Sequence, residues 1–264
     1  MLINGHIHTP FCPHGTKDEL HQYVEKAITL GFDQITFTEH APLPKGFIDT
    51  TPTRDSSMSL NELGLYFEEV NRVKKIYQKH ISVLVGLEVD YIEGFEKEIT
   101  SFLNQFGNKL DDSILSVHFL KRNGQYECLD YSPQLFEEMI HKYGSVEAIY
   151  GNYYRTLLMS IRSDLGVYKP KRIGHMTLIR KFHKKFPTIH KYEAEILEIL
   201  TTIKNKGYEL DYNGAGTAKP LCKEPYPPEW IALKAIELGI PLIYGSDAHQ
   251  VKELMQGFDE LIKI

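Results

Sequence analysis

Seven short apolar runs recur along this chain, separated by amphipathic stretches, and six of the seven run into a residue able to bind metal. The first, "LING", leads into His6 and His8. The second, "QITFTEH", ends at Glu39 and His40. The third, "ISVLVGLEVD", ends near Glu88. "SILSVHF" carries His118, "RIGH" ends at His175, "YELDYN" ends at Asn213, and "PLIYGSD" runs into Asp247 and His249. Strands alternating with helices make a parallel sheet. Seven such units in 264 residues predict an α/β protein built as a closed or nearly closed barrel. No Gly-x-Gly-x-x-Gly turn argues for a dinucleotide fold.

The intervening stretches supply the helices. "TKDELHQYVEKAITLG" predicts a helix opened by a Thr16–Glu19 capping box and closed at Gly31. Residues 41–58, rich in Pro, Thr and Ser, read as a loop. A Ser59–Glu62 box then opens a second helix. "FEKEITSFLNQFG" predicts a third, and the Asn-Gly in "KRNGQYECLD" a small hairpin. Residues 133–165 predict two helices broken near Gly144. Two more follow in "YEAEILEILTTIKNKG" and "EWIALKAIELG", and a terminal helix is expected to close the chain. The whole reads as a single domain, 1–264, with a helical insert around 133–165.

In a parallel barrel all strand C-termini share one face, where such folds place their chemistry. Residues far apart in sequence therefore converge there. Strand side chains alternate, so His6 and His8 project together, as do Asp247 and His249. His14, on the loop after the first strand, reaches the same face. A lone histidine at a strand end is commonly a hydrogen-bonded structural residue. Here, however, seven of the twelve histidines (His6, His8, His14, His40, His118, His175, His249) fall at or just past strand ends. Gathered without metal, so many basic groups would repel and desolvate one another. With Glu88 and Asp247 they make nine candidate ligands, too many for one four-coordinate zinc. A bridging Glu88 would let them serve three. Imidazole with carboxylate suits zinc, iron or manganese.

Composition narrows the alternatives. The net charge of −5 argues against a nucleic-acid backbone binder. No run approaches the roughly 20 apolar residues that span a bilayer. Cys12, Cys128 and Cys222 form no CxxC pair and fit reduced thiols in a cytoplasmic protein. Nothing in the sequence marks an oligomeric state.

The ordered elements "HIHT", "TEH", "GLEVD", "SVH", "GH" and "GSDAH" resemble the PHP (polymerase and histidinol phosphatase) superfamily of metal-dependent phosphoesterases over nearly the whole chain. "DYNGAGTAKPLCKEPYPP" and "YGNYYRTLL" look most like its histidinol-phosphatase branch. The resemblance implies a distorted (β/α)7 barrel with a trinuclear metal site at the C-terminal ends of the strands. It implies one metal on His6, His8, Glu88 and Asp247, a second on His14, His40 and His249, and a third on Glu88, His118 and His175. The expected activity is hydrolysis of L-histidinol phosphate, a step of histidine biosynthesis, by in-line attack of a metal-bridging hydroxide. Asp247 and His249, chiefly ligands, would also handle the proton of the leaving alkoxide.

Guanidinium matches phosphate oxygens in a two-pronged way. Arg155 and Arg180 are therefore expected to grip the phosphate, with Lys219 and then Arg54 behind them. Glu39 and Asn213 are expected to meet the imidazole and ammonium end of the substrate, and Tyr153 and Tyr154 are weighed as a cover. Three other readings compete: a phosphoesterase of the same superfamily acting on nucleotides or DNA ends, an amidohydrolase, and a non-catalytic metal-binding protein. An amidohydrolase needs fewer ligands, and a non-catalytic relative would be expected to have lost some.

Overall fold

In a computed structural model of the chain, residues 1–263 are described. Seven strands form one parallel sheet: β1 (Ile3–Ile7), β2 (Gln34–His40), β3 (Ser82–Asp90), β4 (Ile114–Ser116), then, after a hairpin and two helices, β7 (Arg172–Ile173), β8 (Glu209–Asn213) and β9 (Leu242–Gly245). Their spatial order is their chain order. The hairpin is β5 (Phe119–Arg122) and β6 (Gln125–Cys128), antiparallel. Asn123 and Gly124 at its tip take φ of 49° and 80°, the left-handed pair that an Asn-Gly turn supplies.

The sheet closes into a barrel where β9 meets β1. Asp247 N–H donates to His6 O at 2.8 Å, and His8 N–H to Ala248 O at 2.9 Å. Side chains extend the seam: Asn4 Nδ2 donates to Ser246 Oγ at 2.8 Å, and Ser246 N–H to Asn4 Oδ1 at 3.1 Å. The structure is thus a nearly closed seven-stranded barrel of the (β/α)7 type.

Strand alternation sorts the chemistry. Ile35 and Phe37 of β2, Val83, Val85 and Leu87 of β3, and Leu210 of β8 join the apolar core. The core's other half comes from α1 (Leu20–Thr29) and α2 (Leu63–Tyr77), through Tyr23, Val24, Ala27, Val70 and Val73. α3 (Glu96–Phe106), α4 (Pro133–Tyr143) and α5 (Val146–Arg162) add Leu103, Phe136 and Leu157. α6 (Glu193–Lys206) and α8 (Glu229–Glu237) add Ile199 and Ile231; the single turn α7 (Ala215–Ala218) lies between them in sequence. The alternate strand positions are polar: His6 and His8, Thr36 and His40, Glu88 and Asp90, Asp211 and Asn213, all buried. At the N-terminal end of the barrel, buried Arg172 pairs with Asp112 and donates to Gly5 O, and Thr36 Oγ1 also donates to Asp112. No described helix is long and apolar enough to cross a membrane.

Three local expectations change. α1 starts at Leu20, with Glu19 N–H donating to Gln22 Oε1 at 2.8 Å. Thr16 instead donates through its backbone and hydroxyl to His249 O, tying the first loop to the chain's end. The Ser59–Glu62 contact forms, but in the turn before α2 begins. Among the described residues no terminal helix follows β9, only single turns at Val251–Glu253 and Phe258–Glu260. The carbonyls a helix would use are taken: Leu254 O accepts from Asn4 and Tyr244, and Gln256 O from Tyr244.

Candidate metal centre

The C-terminal mouth of the barrel gathers the residues that sequence alone scattered over 240 positions. Glu88 stands at the centre because β2 and β3 run in register, with His40 opposite Glu88. Its Oε2 lies 3.5 Å from His6 Nε2, 3.6 Å from His8 Nε2 and 3.1 Å from His40 Nδ1. Its Oε1 lies 2.8 Å from His175 Nε2 and 3.7 Å from His118 Nε2. Asp247 Oδ1 lies 3.2 Å from His8 Nε2 and 3.8 Å from His6 Nε2. Asp247 holds φ of 53°, a left-handed conformation that aspartate tolerates better than most residues. The His249 ring stacks 4.0 Å from that of His8, and the His14 ring sits 5.1 Å from His40 and 5.0 Å from His249.

Donor atoms fall into three tight groups here, each within 4.8 Å: His6, His8 and Asp247; Glu88, His118 and His175; and His8, Cys12, His40 and His249. His14 stands beside the last group rather than in it. Cys12 Sγ was not anticipated, and burial pushes its thiol pKa up.

Five of the seven imidazoles follow one rule: Nδ1 is anchored to protein, which leaves Nε2 for a ligand. His6 Nδ1 bonds Asp211 Oδ2 at 2.8 Å, His8 Nδ1 bonds Glu39 Oε1 at 3.2 Å, and His118 Nδ1 bonds Asp90 Oδ1 at 2.7 Å. His14 Nδ1 donates to Asp55 O and His249 Nδ1 to Asp247 O. Such anchoring fixes the tautomer and aim of a metal-binding histidine. His6 Nε2, His8 Nε2, His40 Nδ1, His175 Nδ1 and His249 Nε2 are buried and have no hydrogen-bond partner. Native proteins rarely strand polar atoms in this way. Five in one place fit a site built for metal ions.

The electrostatics fit as well. Burial opposes charge on every group, but the network overrides it selectively. His8 is raised to about 9 by Asp247 and Glu39, and His118 to about 10 by Asp90 and Glu88, in both cases against burial. Glu88 is held well below the usual carboxylate range by His6, His118 and His40, and Asp247 by His6, His8 and His249, again against burial. Burial and the charge of His8 push His40 and His249 down.

Several expected substrate contacts lie elsewhere. Glu39 is fully buried beneath His8, whose Nδ1 it holds, and accepts also from Thr9. Asn213 is buried, and its amide donates to Asp211 Oδ2 and Asp247 Oδ2. Arg155 is held by Glu93 and Asn152, and Arg180 by Glu224. Neither lines the cavity of about 660 Å³ that opens over the histidines, nor does Arg54. Acidic partners drew these guanidiniums away. Tyr153 and Tyr154 are core residues. Lys219 does line the cavity, with Lys181, Asp130 and Tyr131, which the sequence reading passed over. Asp90 and Asp211 were missed too, although each lies two strand positions from a noted residue, Glu88 and Asn213.

The PHP domain family model matches residues 4–215. The chain belongs to the PHP family. Histidinol-phosphatase of Bacillus subtilis (strain 168) is 48% identical over 98% of this chain and 98% of its own length. Among solved PHP-like structures, the putative histidinol phosphatase of Listeria monocytogenes superposes with a TM-score of 0.94 at 39% identity, covering 98% of this chain and 99% of that one. A histidinol phosphate phosphatase from Lactococcus lactis, solved with zinc, L-histidinol and phosphate, superposes with a TM-score of 0.68 over 98% of this chain and 91% of that one. At 21% identity that likeness is one of fold.

Proposed function

We propose that this PHP protein is a metal-dependent histidinol-phosphate phosphatase, a phosphoric monoester hydrolase converting L-histidinol phosphate to L-histidinol and inorganic phosphate. The observation that carries the reading is the cluster of imidazoles around Glu88, five of which keep a buried nitrogen with no hydrogen-bond partner. The near-full-length similarity to the Bacillus subtilis histidinol-phosphatase supplies the substrate.

His6, His8 and Asp247 would hold one divalent ion, Glu88, His118 and His175 another, and His14, His40 and His249 a third, with Glu88 shared. Zinc, iron or manganese suits this donor set. Metal bound there supplies an acidified water as nucleophile and positive charge for the phosphoryl oxygens. The protein's own part is placement. Asp211, Glu39 and Asp90 hold His6, His8 and His118 at fixed angles. Asp247, whose Oδ2 takes the Asn213 amide, and His249 are assigned to the proton of the leaving alkoxide. Leu178, Ala215 and Tyr226 wall the cavity, excluding water from one side. Three unpaired, buried cysteines fit a reducing compartment, the cytoplasm.

The test is a panel of metal-loaded protein against histidinol phosphate, a generic monoester, a diester and single-stranded DNA. Histidinol phosphate is expected to be strongly preferred, and a chelator to abolish turnover. Preference for the diester or DNA would overturn the substrate assignment. His118→Ala should abolish turnover with the circular dichroism spectrum retained; wild-type activity in that variant would refute its place in the centre.

A further inference from the structure

We propose that Lys181, held in place by Asp130, is the side-chain cation that receives the substrate's phosphate. The proposal rests on the phosphatase reading above and names a binding residue for it. The centre's histidines and acids cannot do this alone, since a phosphate monoester brings negative charge into a cavity already lined by Asp55, Asp90, Asp130 and Glu253. Among the described residues, Lys181 and Lys219 are the only lysines or arginines lining that cavity. Lys219 is exposed on the rim.

Lys181 is differently placed. It sits on the short turn Leu178–Phe182, six residues after His175, and shares the cavity wall with His118 and His175. Its side chain is only 22% exposed, and Nζ donates to Asp130 Oδ2 at 2.8 Å. An ammonium has three N–H donors. One is taken by Asp130, and the remaining two have no acceptor among the described residues. Asp130 is itself fastened, its Oδ1 accepting from Cys128 Sγ at 3.4 Å, so it acts as a positioning residue that stops the lysine from swinging out to water. Burial opposes the charge on Lys181, but Asp130, and more weakly Asp247, raise its pKa. It therefore offers a fixed positive charge rather than a proton. Lysine binds phosphate as a point charge, so no fork geometry is required.

The experiment compares wild type with Lys181→Met, Lys181→Gln, Lys181→Arg and Asp130→Asn, each loaded with the same metal and checked for metal content and circular dichroism. Two quantities are read: the inhibition constant of inorganic phosphate, and KM and kcat for histidinol phosphate. Loss of a charge-assisted hydrogen bond predicts that Met and Gln weaken phosphate by about tenfold to a hundredfold. KM should rise in parallel, metal content should stay at the wild-type level, and Arg should retain most of the affinity. Asp130→Asn should raise KM more than it lowers kcat. Lys185→Met, on the outer surface beside Glu137, should match wild type. Unchanged phosphate inhibition in whichever of the Met and Gln variants keeps the wild-type spectrum would overturn the proposal. The substrate reading fails separately, if wild type itself does not turn over histidinol phosphate while still binding phosphate through Lys181.

Discussion

Single atoms decide how this site is aimed. Asp211 illustrates the point: one oxygen holds His6 Nδ1, the same oxygen takes the Asn213 amide, and the side chain fits only because residue 245 is glycine. A Cβ at Gly245 would lie 2.1 Å from Asp211 Oδ1 and 2.7 Å from His6 Cβ, closer than atoms can approach. Asp211→Asn keeps the shape but weakens the acceptor that orients His6. Metal affinity or activity should fall by about 10- to 100-fold. Titration of the variant with zinc, read against activity, checks this; wild-type affinity would show that the anchor does no work. The same logic accounts for the place of Glu39 beneath His8. Its chain position beside His40 suggested exposure to substrate, but β2 alternates, so neighbours on a strand point to opposite sides.

At the scale of elements, the helical insert shows how local chemistry and packing cooperate. α4 and α5 are separated by Gly144 at φ of 91°. Each helix is opened by a serine: Ser132 Oγ accepts from Leu135 N–H and Ser145 Oγ from Ala148 N–H. The far end of α5 is closed by Lys169, whose ammonium donates to the carbonyls of Ser160, Ile161 and Ser163 at 2.7–2.8 Å. Ser145→Ala should cost about 1 kcal/mol, measured by urea unfolding, with metal content and KM unaltered. A change in KM would mean that α5 sets the cavity's shape. The break at Gly144 was legible in the sequence, whereas the serine and lysine caps were passed over. The missing C-terminal helix was not legible, because its carbonyls are claimed by Asn4 and Tyr244 across the barrel seam.

For the whole molecule, the metal site and fold stability are linked through protons. His8 is raised from 6.5 to about 9, and His118 from 6.5 to about 10. A raised folded pKa means that the folded state binds more protons than the unfolded chain between those values. In chelated protein this contribution is complete below about pH 6.5 and is lost as pH rises through about 9 to 10. Glu88 and Asp247, with lowered pKa values, contribute above the usual carboxylate range and lose that contribution only in strong acid. Metal-loaded protein should escape the alkaline loss, since metal takes the place of those protons. Urea unfolding with and without chelator from about pH 6.5 to about pH 9.5 tests the sign. Chelated protein that is more stable at the alkaline end would refute it.

The alternation of apolar runs with amphipathic stretches, and the histidines at the run ends, were enough by themselves to determine a parallel barrel with chemistry at one mouth. Both follow from periodicity, which is local and survives without knowledge of contacts. Only the tertiary structure decided which polar residues face the cavity and which are consumed beneath it. Arg155 and Arg180 had the right chemistry for phosphate but found Glu93 and Glu224 first, whereas Lys181, unremarkable in sequence, was drawn to the cavity wall by Asp130. A charge is satisfied by the nearest opposite charge in space, and that partner lies 62, 44 or 51 residues away along the chain, a distance no local pattern records.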